Sequence, residues 1–166
     1  DLSGWNFVGQ NFTDAKLVGS NLTNANLQNA SLTGVQFSDV TLTNANFTGA
    51  TVTTADFSGA TSHGFTKGQL YSTASYKSHD LTGISLASNN LAGADFDRQN
   101  LTNANFASAN LTDADFRDAN LADAGFASAD LTYADFRRAN LAHANFASAT
   151  LTDADFRGAD LANAGF

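Results

Sequence analysis

The stretch LTDADFRDANLADAGFASAD, Leu111 to Asp130, is followed directly by LTYADFRRANLAHANFASAT, Leu131 to Thr150. The two lines share most of their letters, and they differ mainly at polar positions. In both lines a Leu or Phe returns at every fifth residue. A helix needs apolar spacings of three and four, and an ordinary strand needs a spacing of two, so a period of five fits neither.

The five-residue period runs through most of the chain, from Leu2 to Phe57 and again from Leu81 to Phe166. Ala usually stands two positions before the large residue, and alternation places both on one face of a short extended segment. The last two letters of each unit are turn residues, and Gly is common at the second of them, where a positive φ is expected. Each unit therefore predicts one side and one corner, and four units close a square coil.

A second period of four units supports the square. Phe106-Ala107-Ser108-Ala109 returns as the same four letters beginning at Phe126 and at Phe146. From Leu101 onward Leu and Phe alternate, which places two Phe columns on opposite walls and two Leu columns on the other walls. Coils stacked at the strand spacing of about 4.8 Å would form backbone hydrogen bonds with one another. The sequence thus predicts an all-β stack of square coils.

The unit A-(D/N)-(L/F)-x-x, repeated in ANLTDADFRDANLADAGF, resembles the motif of the pentapeptide-repeat family. The resemblance implies a right-handed quadrilateral β-helix filled by Leu, Phe and Ala. It covers residues 1–61, predicted as a stack of about three coils, and residues 81–166, predicted as about four and a half coils. We expect one continuous solenoid domain.

Some units carry another residue where Ala is expected, mostly near the chain start and near residues 62–80. We expect distorted coils at these positions. They are Trp5, Gln10, Ser20, Val35, Val40, His79, Ile84, Asn89 and Gln99.

Residues 62–80 lack the period and form an irregular insertion. Thr66 and Gln69 have the spacing of a capping box, which predicts a short helix near Lys67–Thr73. The apolar residues expected to pack on the solenoid are Phe65, Leu70 and Tyr71. The insertion is either a structural splice between two stacks or a recognition loop, since function is often found on such interruptions.

The first residues, Leu2 to Thr13, parallel Leu91 to Thr102, which follow the insertion. Both stretches contain Gln followed by Asn, at Gln10 and Gln99. The chain start therefore resembles a segment that follows an insertion, and we expect a longer parent chain with an earlier insertion.

Composition excludes several classes of function. All 16 acidic residues are Asp, and the net charge of −8 disfavours direct binding of nucleic acid, which relies on a positive field. No apolar run approaches the roughly 18 residues that a membrane span needs. Without Cys or Glu, and with three scattered His, no catalytic triad or zinc-site spacing occurs. We predict no catalytic residue, no cofactor and no metal site.

The candidate interaction surface consists of charged residues that flank successive Phe residues at intervals of one coil. They are Asp115, Asp135 and Asp155, which precede Phe, and Arg117, Arg137 and Arg157, which follow it. The two ladders could bind a charged partner, or they could relieve like-charge stacking, each exposed pair contributing about 0–1 kcal/mol.

The three histidines give little indication of a functional site. His143 falls in one column with Asp123 and Asn163 at a corner, where a solvated imidazole is expected. His63 and His79 flank the insertion and have no partner that the sequence predicts.

Flat polar walls favour a non-catalytic structural or protein-interaction rod, a segment of a larger secreted bacterial protein with an unknown protein partner. The family resemblance implies an alternative, because some pentapeptide-repeat proteins mimic DNA and bind type II topoisomerases. Residues 81–166, with eleven Asp and five Arg, would form the mimic. Both ends of such a rod expose unpaired strand edges, which predicts end-to-end self-association.

Overall fold

The computed structural model describes residues 1–166. Parallel bridges join residues 20 apart, for example Asn100 to Asn120 and Asn120 to Asn140. Each bridge is one residue long, so the coils are joined by isolated bridges rather than by extended strands. A 3₁₀ helix at Ala60–His63 leads into the insertion, which contains α1 at Lys67–Ser72 and α2 at Ala74–Lys77.

The corners of the coils are turns with a left-handed residue. The nine Gly predicted at these corners have φ between 61° and 73°, which confirms the prediction. Non-glycine residues share the same conformation, including Thr54 at 56° and Tyr133 at 60°. The backbone closes each corner: the N–H of Ala119, for example, donates to the carbonyl of Phe116 at 3.1 Å.

In many units an Asn or Asp before the large residue also closes the corner, a role that was not predicted from the sequence. The backbone N–H of Thr112 donates to Asn110 Oδ1 at 3.0 Å, and that of Arg117 donates to Asp115 Oδ1 at 3.0 Å. A short polar side chain can bond the backbone two residues on, whereas a longer one overshoots it. This geometry favours Asp over Glu at the position before the large residue.

The core contains two columns of stacked Phe rings. Phe116 and Phe136 lie parallel with ring centroids 4.9 Å apart, and both are fully buried. Phe126, from the facing column, meets Phe136 edge to face at 5.6 Å and 84°. Two opposite Phe columns, as predicted, therefore interlock across the interior.

The insertion begins with the predicted capping box. Thr66 N–H donates to Gln69 Oε1 at 2.7 Å, and Gln69 N–H donates to Thr66 Oγ1 at 3.2 Å. Phe65 and Leu70 do not merely pack on a finished wall: they are 3% and 0% exposed and belong to the core itself. Phe65 stacks on Phe57 at 4.5 Å, so the row of inward residues continues through the insertion.

Two of the residues that replace Ala near the insertion, Asn89 and Gln99, bond to the backbone through their inward side chains. Asn89 Oδ1 accepts from Thr61 N–H at 2.8 Å, and its Nδ2 donates to the Phe57 carbonyl at 2.8 Å. Gln99 Nε2 donates to the Tyr76 carbonyl at 3.1 Å. Inward polar side chains thus bond the backbone where the insertion breaks the ladder between coils.

The end coils are less buried than the middle of the stack. In the first coil (residues 1–20) Trp5 is 56% exposed, and in the last coil (residues 150–166) Phe166 is 69% exposed. Phe156, also in the last coil, is partly buried but still stacks on Phe136 at 5.0 Å. None of the helices has the length and apolar character needed to cross a membrane.

Candidate interaction wall

The charged residues of 90–166 are distributed unevenly among the walls of the solenoid. One wall, here called the charged wall, flanks the column of Phe96, Phe116, Phe136 and Phe156. It carries all the Arg of the chain and six Asp: Arg98, Arg117, Arg137, Arg138, Arg157, Asp95, Asp97, Asp115, Asp118, Asp135 and Asp155. The opposite wall, here called the uncharged wall, flanks Phe106, Phe126 and Phe146 with Ala, Ser, Gly and Asn alone.

Within each unit of the charged wall the predicted residues form a two-point ion pair. Arg137 Nε donates to Asp135 Oδ1 at 2.9 Å, and its Nη2 donates to Oδ2 at 2.6 Å. Arg117 with Asp115 and Arg157 with Asp155 repeat this arrangement. The two partners flank one inward Phe, so alternation points both outward on the same side. The structure therefore brings together all six residues of the predicted ladders.

Weaker contacts link the pairs from coil to coil. Arg117 Nε lies 3.7 Å from Asp135 Oδ2, and Arg137 Nε lies 3.7 Å from Asp155 Oδ2. At the edge of the wall Arg138 donates to both carboxylate oxygens of Asp118, at 2.7 and 2.6 Å. This pair was not predicted from the sequence, although its spacing of one coil indicates it. The guanidiniums are held in a fixed row, and their charge is largely balanced.

The ion pairs lower the pKa values of the Asp115 and Asp155 carboxyl groups. Hydrogen bonds from the side chain and backbone of Arg157 lower the pKa of Asp155 to about 2. Burial alone would raise the pKa of Asp115, but the hydrogen bonds and charge of Arg117 hold it below its usual range. The carboxylates thus stay ionised in moderately acidic solution.

These lowered pKa values predict a loss of stability in acid. A carboxylate with a depressed folded-state pKa stabilises the fold above its unfolded pKa of about 3.9. The contribution is lost as the pH falls through about 2, the pKa of Asp155. We expect the urea midpoint to fall between about pH 5 and pH 2.

The matched variant for this prediction combines Arg117→Gln, Arg137→Gln and Arg157→Gln. Without the guanidiniums the pKa values of Asp115 and Asp155 should return toward ordinary values, so the midpoint should fall less over the same pH range. An equal fall in the natural chain and the variant would show that these pairs do not cause the acid sensitivity.

Tyrosines border the charged wall, and the sequence analysis assigned them no role there. Tyr133 is 58% exposed at a corner beside Asp135. At the base of the wall, the rings of Tyr71 and Tyr76 lie 4.5 Å apart, and Tyr76 Oη donates to the Asp95 carbonyl at 2.8 Å. Burial and the charge of Asp95 raise the pKa of Tyr76. Arg and Tyr are enriched at protein–protein interfaces.

The histidines do not form a site of their own. The sequence predicts no partner for His63 or His79, but in the structure His63 Nδ1 lies 2.9 Å from Ser62 Oγ, and His79 Nδ1 lies 3.2 Å from Gln99 Nε2. His143 occupies a left-handed corner with φ of 61°. No group of three His, Cys, Asp or Glu side chains is placed to hold a metal ion.

An open cleft of about 480 Å³ lies beside α1. Hydroxyl and amide side chains line most of it, and Lys67 is its one charged residue. The Lys67 ammonium donates to the Ala92 carbonyl and so fastens the insertion to the next coil. Catalysis needs paired reactive groups in a cleft that excludes water, whereas this cleft presents one lysine to open solvent.

Two sequence models identify the chain. "Pentapeptide repeats (8 copies)" matches residues 1–29 and 20–59, and "Pentapeptide repeat region" matches residues 99–166. The chain belongs to the pentapeptide-repeat family. A search of curated proteins found no match.

Several solved structures are similar to the chain. HetL, a pentapeptide repeat protein involved in heterocyst differentiation regulation from the cyanobacterium Nostoc sp. strain PCC 7120, is 29% identical with a TM-score of 0.31. The match covers 96% of this chain and 62% of HetL, so the chain spans less than two thirds of that protein.

Two further structures also match nearly the whole length of this chain. Full-length QnrB1, a plasmid-mediated fluoroquinolone resistance protein, is 22% identical over 96% of this chain and 90% of its own, with a TM-score of 0.32. Rfr23 from the cyanobacterium Cyanothece 51142 is 20% identical over 98% and 88%, with a TM-score of 0.27. Family membership rests on the two repeat models, because these TM-scores are low.

Proposed function

We propose that the chain is a non-catalytic protein-interaction solenoid, a right-handed quadrilateral β-helix whose charged wall contacts a protein partner. The observation that carries the proposal is the segregation of every Arg to one wall, with the exposed Tyr133 at the corner that borders it. The opposite wall offers Ala, Ser, Gly and Asn, which contribute little to binding hot spots.

The ion pairs prepare the charged wall for binding. Each guanidinium of the ladder is held by its neighbouring carboxylate. Binding a partner therefore costs the arginine side chains little further conformational entropy. The Nη1 atoms make no hydrogen bond within the chain and can donate to carbonyl or carboxylate oxygens of a partner. Arg117 and Arg137 keep 41% and 38% of their side chains exposed for such contacts.

A matched pair of variants tests this surface. Arg117, Arg137 and Arg157 are all replaced by Gln in one chain, and Ala107, Ala127 and Ala147, which hold the same place on the uncharged wall, are replaced by Gln in the other. Each chain is then used to co-purify partners from cells that express it. We expect the Arg variant to lose a partner that the Ala variant retains. The opposite pattern would exclude the charged wall as the contact surface.

The acidic DNA mimic is the alternative function. Five Asp outside the charged wall carry unbalanced negative charge: Asp113, Asp123, Asp130, Asp153 and Asp160. They are distributed over separate corners and sides, whereas a phosphate backbone presents closely spaced charges. A gyrase supercoiling assay separates the two functions, since inhibition at micromolar concentration would support the mimic.

A further inference from the structure

The charged wall is complementary to itself when two copies of it face each other. Each ladder pair places its Asp on one side of the inward Phe column and its Arg on the other, as Asp135 and Arg137 flank Phe136. A two-fold axis that runs along this Phe column, parallel to the solenoid, exchanges the two sides. It therefore places the Asp of one copy opposite the Arg of the other, at the same level of the stack.

The free donors of the wall point toward such a second copy. Arg137 uses Nε and Nη2 to bind Asp135 at 2.9 and 2.6 Å, so its Nη1 lies on the far side of the guanidinium. Across the two-fold axis, that side faces the Asp135 carboxylate of the second copy. Each guanidinium then lies between two carboxylates, and the four charges of one level balance. Charge complementarity of this kind fixes the register of an interface.

The corners of the wall show the same relation. Tyr133 stands at the corner beside the Asp column, and Arg138 stands at the corner beside the Arg column of the same coil. Tyr133 is 58% exposed, and the Arg138 side chain is 65% exposed although Asp118 binds its guanidinium. The two-fold axis brings the Tyr133 ring of each copy to the Arg138 guanidinium of the other. A guanidinium over an aromatic ring is a favourable contact.

We propose that the charged wall binds a second copy of the chain, with the two solenoids parallel and side by side about this axis. The inference rests on the proposed function of the charged wall, and it identifies the protein partner. An antiparallel arrangement would place the two Asp columns against each other and the two Arg columns against each other, and like charges in contact are costly. Because a two-fold contact closes on itself, assembly stops at the dimer.

The contact is confined to the three coils that carry the ladder pairs of Arg117, Arg137 and Arg157. The coil below them carries Asp95 and Asp97 at the corresponding places, and these two carboxylates would face each other across the axis. An interface of three coils is small, so we expect a weak dimer that forms at about 100 µM protein. Salt screens exposed charges, so the dimer should dissociate as the salt concentration rises.

Sedimentation equilibrium of the natural chain tests the dimer. We expect a monomer–dimer equilibrium at low salt and no larger species. Tyr133→Ala should raise the dimer dissociation constant about tenfold, because two ring contacts are lost. A natural chain that stays monomeric at about 100 µM, or one whose association continues beyond the dimer, would overturn the proposal.

The two triple variants described above locate the contact. Arg117→Gln, Arg137→Gln and Arg157→Gln together should leave the chain monomeric. Ala107→Gln, Ala127→Gln and Ala147→Gln together alter the uncharged wall and should leave the dissociation constant unchanged. Circular dichroism checks that both chains are folded. A dimer that survives in the Arg variant would show that the two copies meet elsewhere.

Cysteines at the two corners test the orientation. The axis places position 113 of one copy opposite position 118 of the other, where two Asp residues would otherwise repel. Asp113→Cys and Asp118→Cys are introduced into separate chains, one of them isotopically labelled, and the mixture is oxidised. We expect the 113–118 disulfide to exceed its statistical share. A statistical mixture, or an excess of the 113–113 disulfide, would contradict the parallel dimer.

Failure of this proposal can be distinguished from failure of the proposed function. A natural chain that is monomeric, but whose Arg variant loses a co-purified protein, would keep the charged wall as a contact surface and exclude the second copy as its partner. A dimer that is lost in the Arg variant alone supports the second copy as the partner.

Discussion

Replacing Phe116 by Ala is expected to lower the free energy of unfolding by about 3–5 kcal/mol. Phe116 is fully buried, lies parallel to Phe96 and Phe136 at 5.1 and 4.9 Å, and meets Phe106 and Phe126 edge to face. The coils above and below are fixed by backbone hydrogen bonds, so they cannot close over the cavity. Urea unfolding followed by circular dichroism measures the change.

Phe166→Ala is the matched control for Phe116→Ala. Phe166 stacks on Phe146 at 5.2 Å but is 69% exposed, so its removal should cost less than about 1 kcal/mol. Equal losses for the two variants would show that the ring columns do not hold the solenoid together.

Replacing Asn89 by Ala is expected to lower the free energy of unfolding by about 2–4 kcal/mol. The change leaves the N–H of Thr61 and the carbonyl of Phe57 without the partner that joins them across the start of the insertion. Asn89 is 2% exposed, so water cannot readily replace its amide. The same urea titration measures the loss, and amide exchange at Thr61 should accelerate with it.

The adjacent Asn90 provides a control of the same residue type. Its side chain is exposed and accepts from Ala92 N–H at 3.4 Å and from Asn110 Nδ2 at 3.3 Å. Asn90→Ala should therefore cost about 1 kcal/mol or less. A larger loss at Asn90 than at Asn89 would contradict the role given to the buried amide.

The regular part of the fold could be predicted because each five-residue unit specifies one side and one corner of the square coil. Once Leu111 and Phe116 point inward, the coil length of 20 residues places Leu131 and Phe136 above them. The positive φ at the corner Gly and the capping box at Thr66 are local features, and both were predicted correctly.

The insertion could not be predicted in detail because its contacts join residues far apart without a period. In the core, Phe65 follows Phe57 by eight residues and Leu81 follows Leu70 by eleven, and the five-residue rule contains neither spacing. Asn89 bonds to Phe57 and Gln99 to Tyr76, which lie 32 and 23 positions away. In the sequence, Asn89 and Gln99 are recognisable only as replacements of the inward Ala.

The candidate site was predicted in part. The columns of Asp135 and Arg137 follow from the period, but their mutual pairing depends on side-chain geometry at the corner. Arg138 and Asp118 form a further pair that the period also allows. The exposure of Tyr133 could not be read from its place in the unit, where Asp113 and Asp153 stand in neighbouring coils.

Paired cysteines test most directly whether residues 20 apart stack. The natural chain has no Cys, so Ala127→Cys with Ala147→Cys introduces one possible disulfide. Stacked residues lie about 4.8 Å apart, within the Cα separation of disulfides. The comparison chain pairs Ala127→Cys with Ala142→Cys, which lies on another wall. We predict rapid oxidation of the first pair and none within the second chain. Oxidation of the 127–142 pair alone would contradict the square coil.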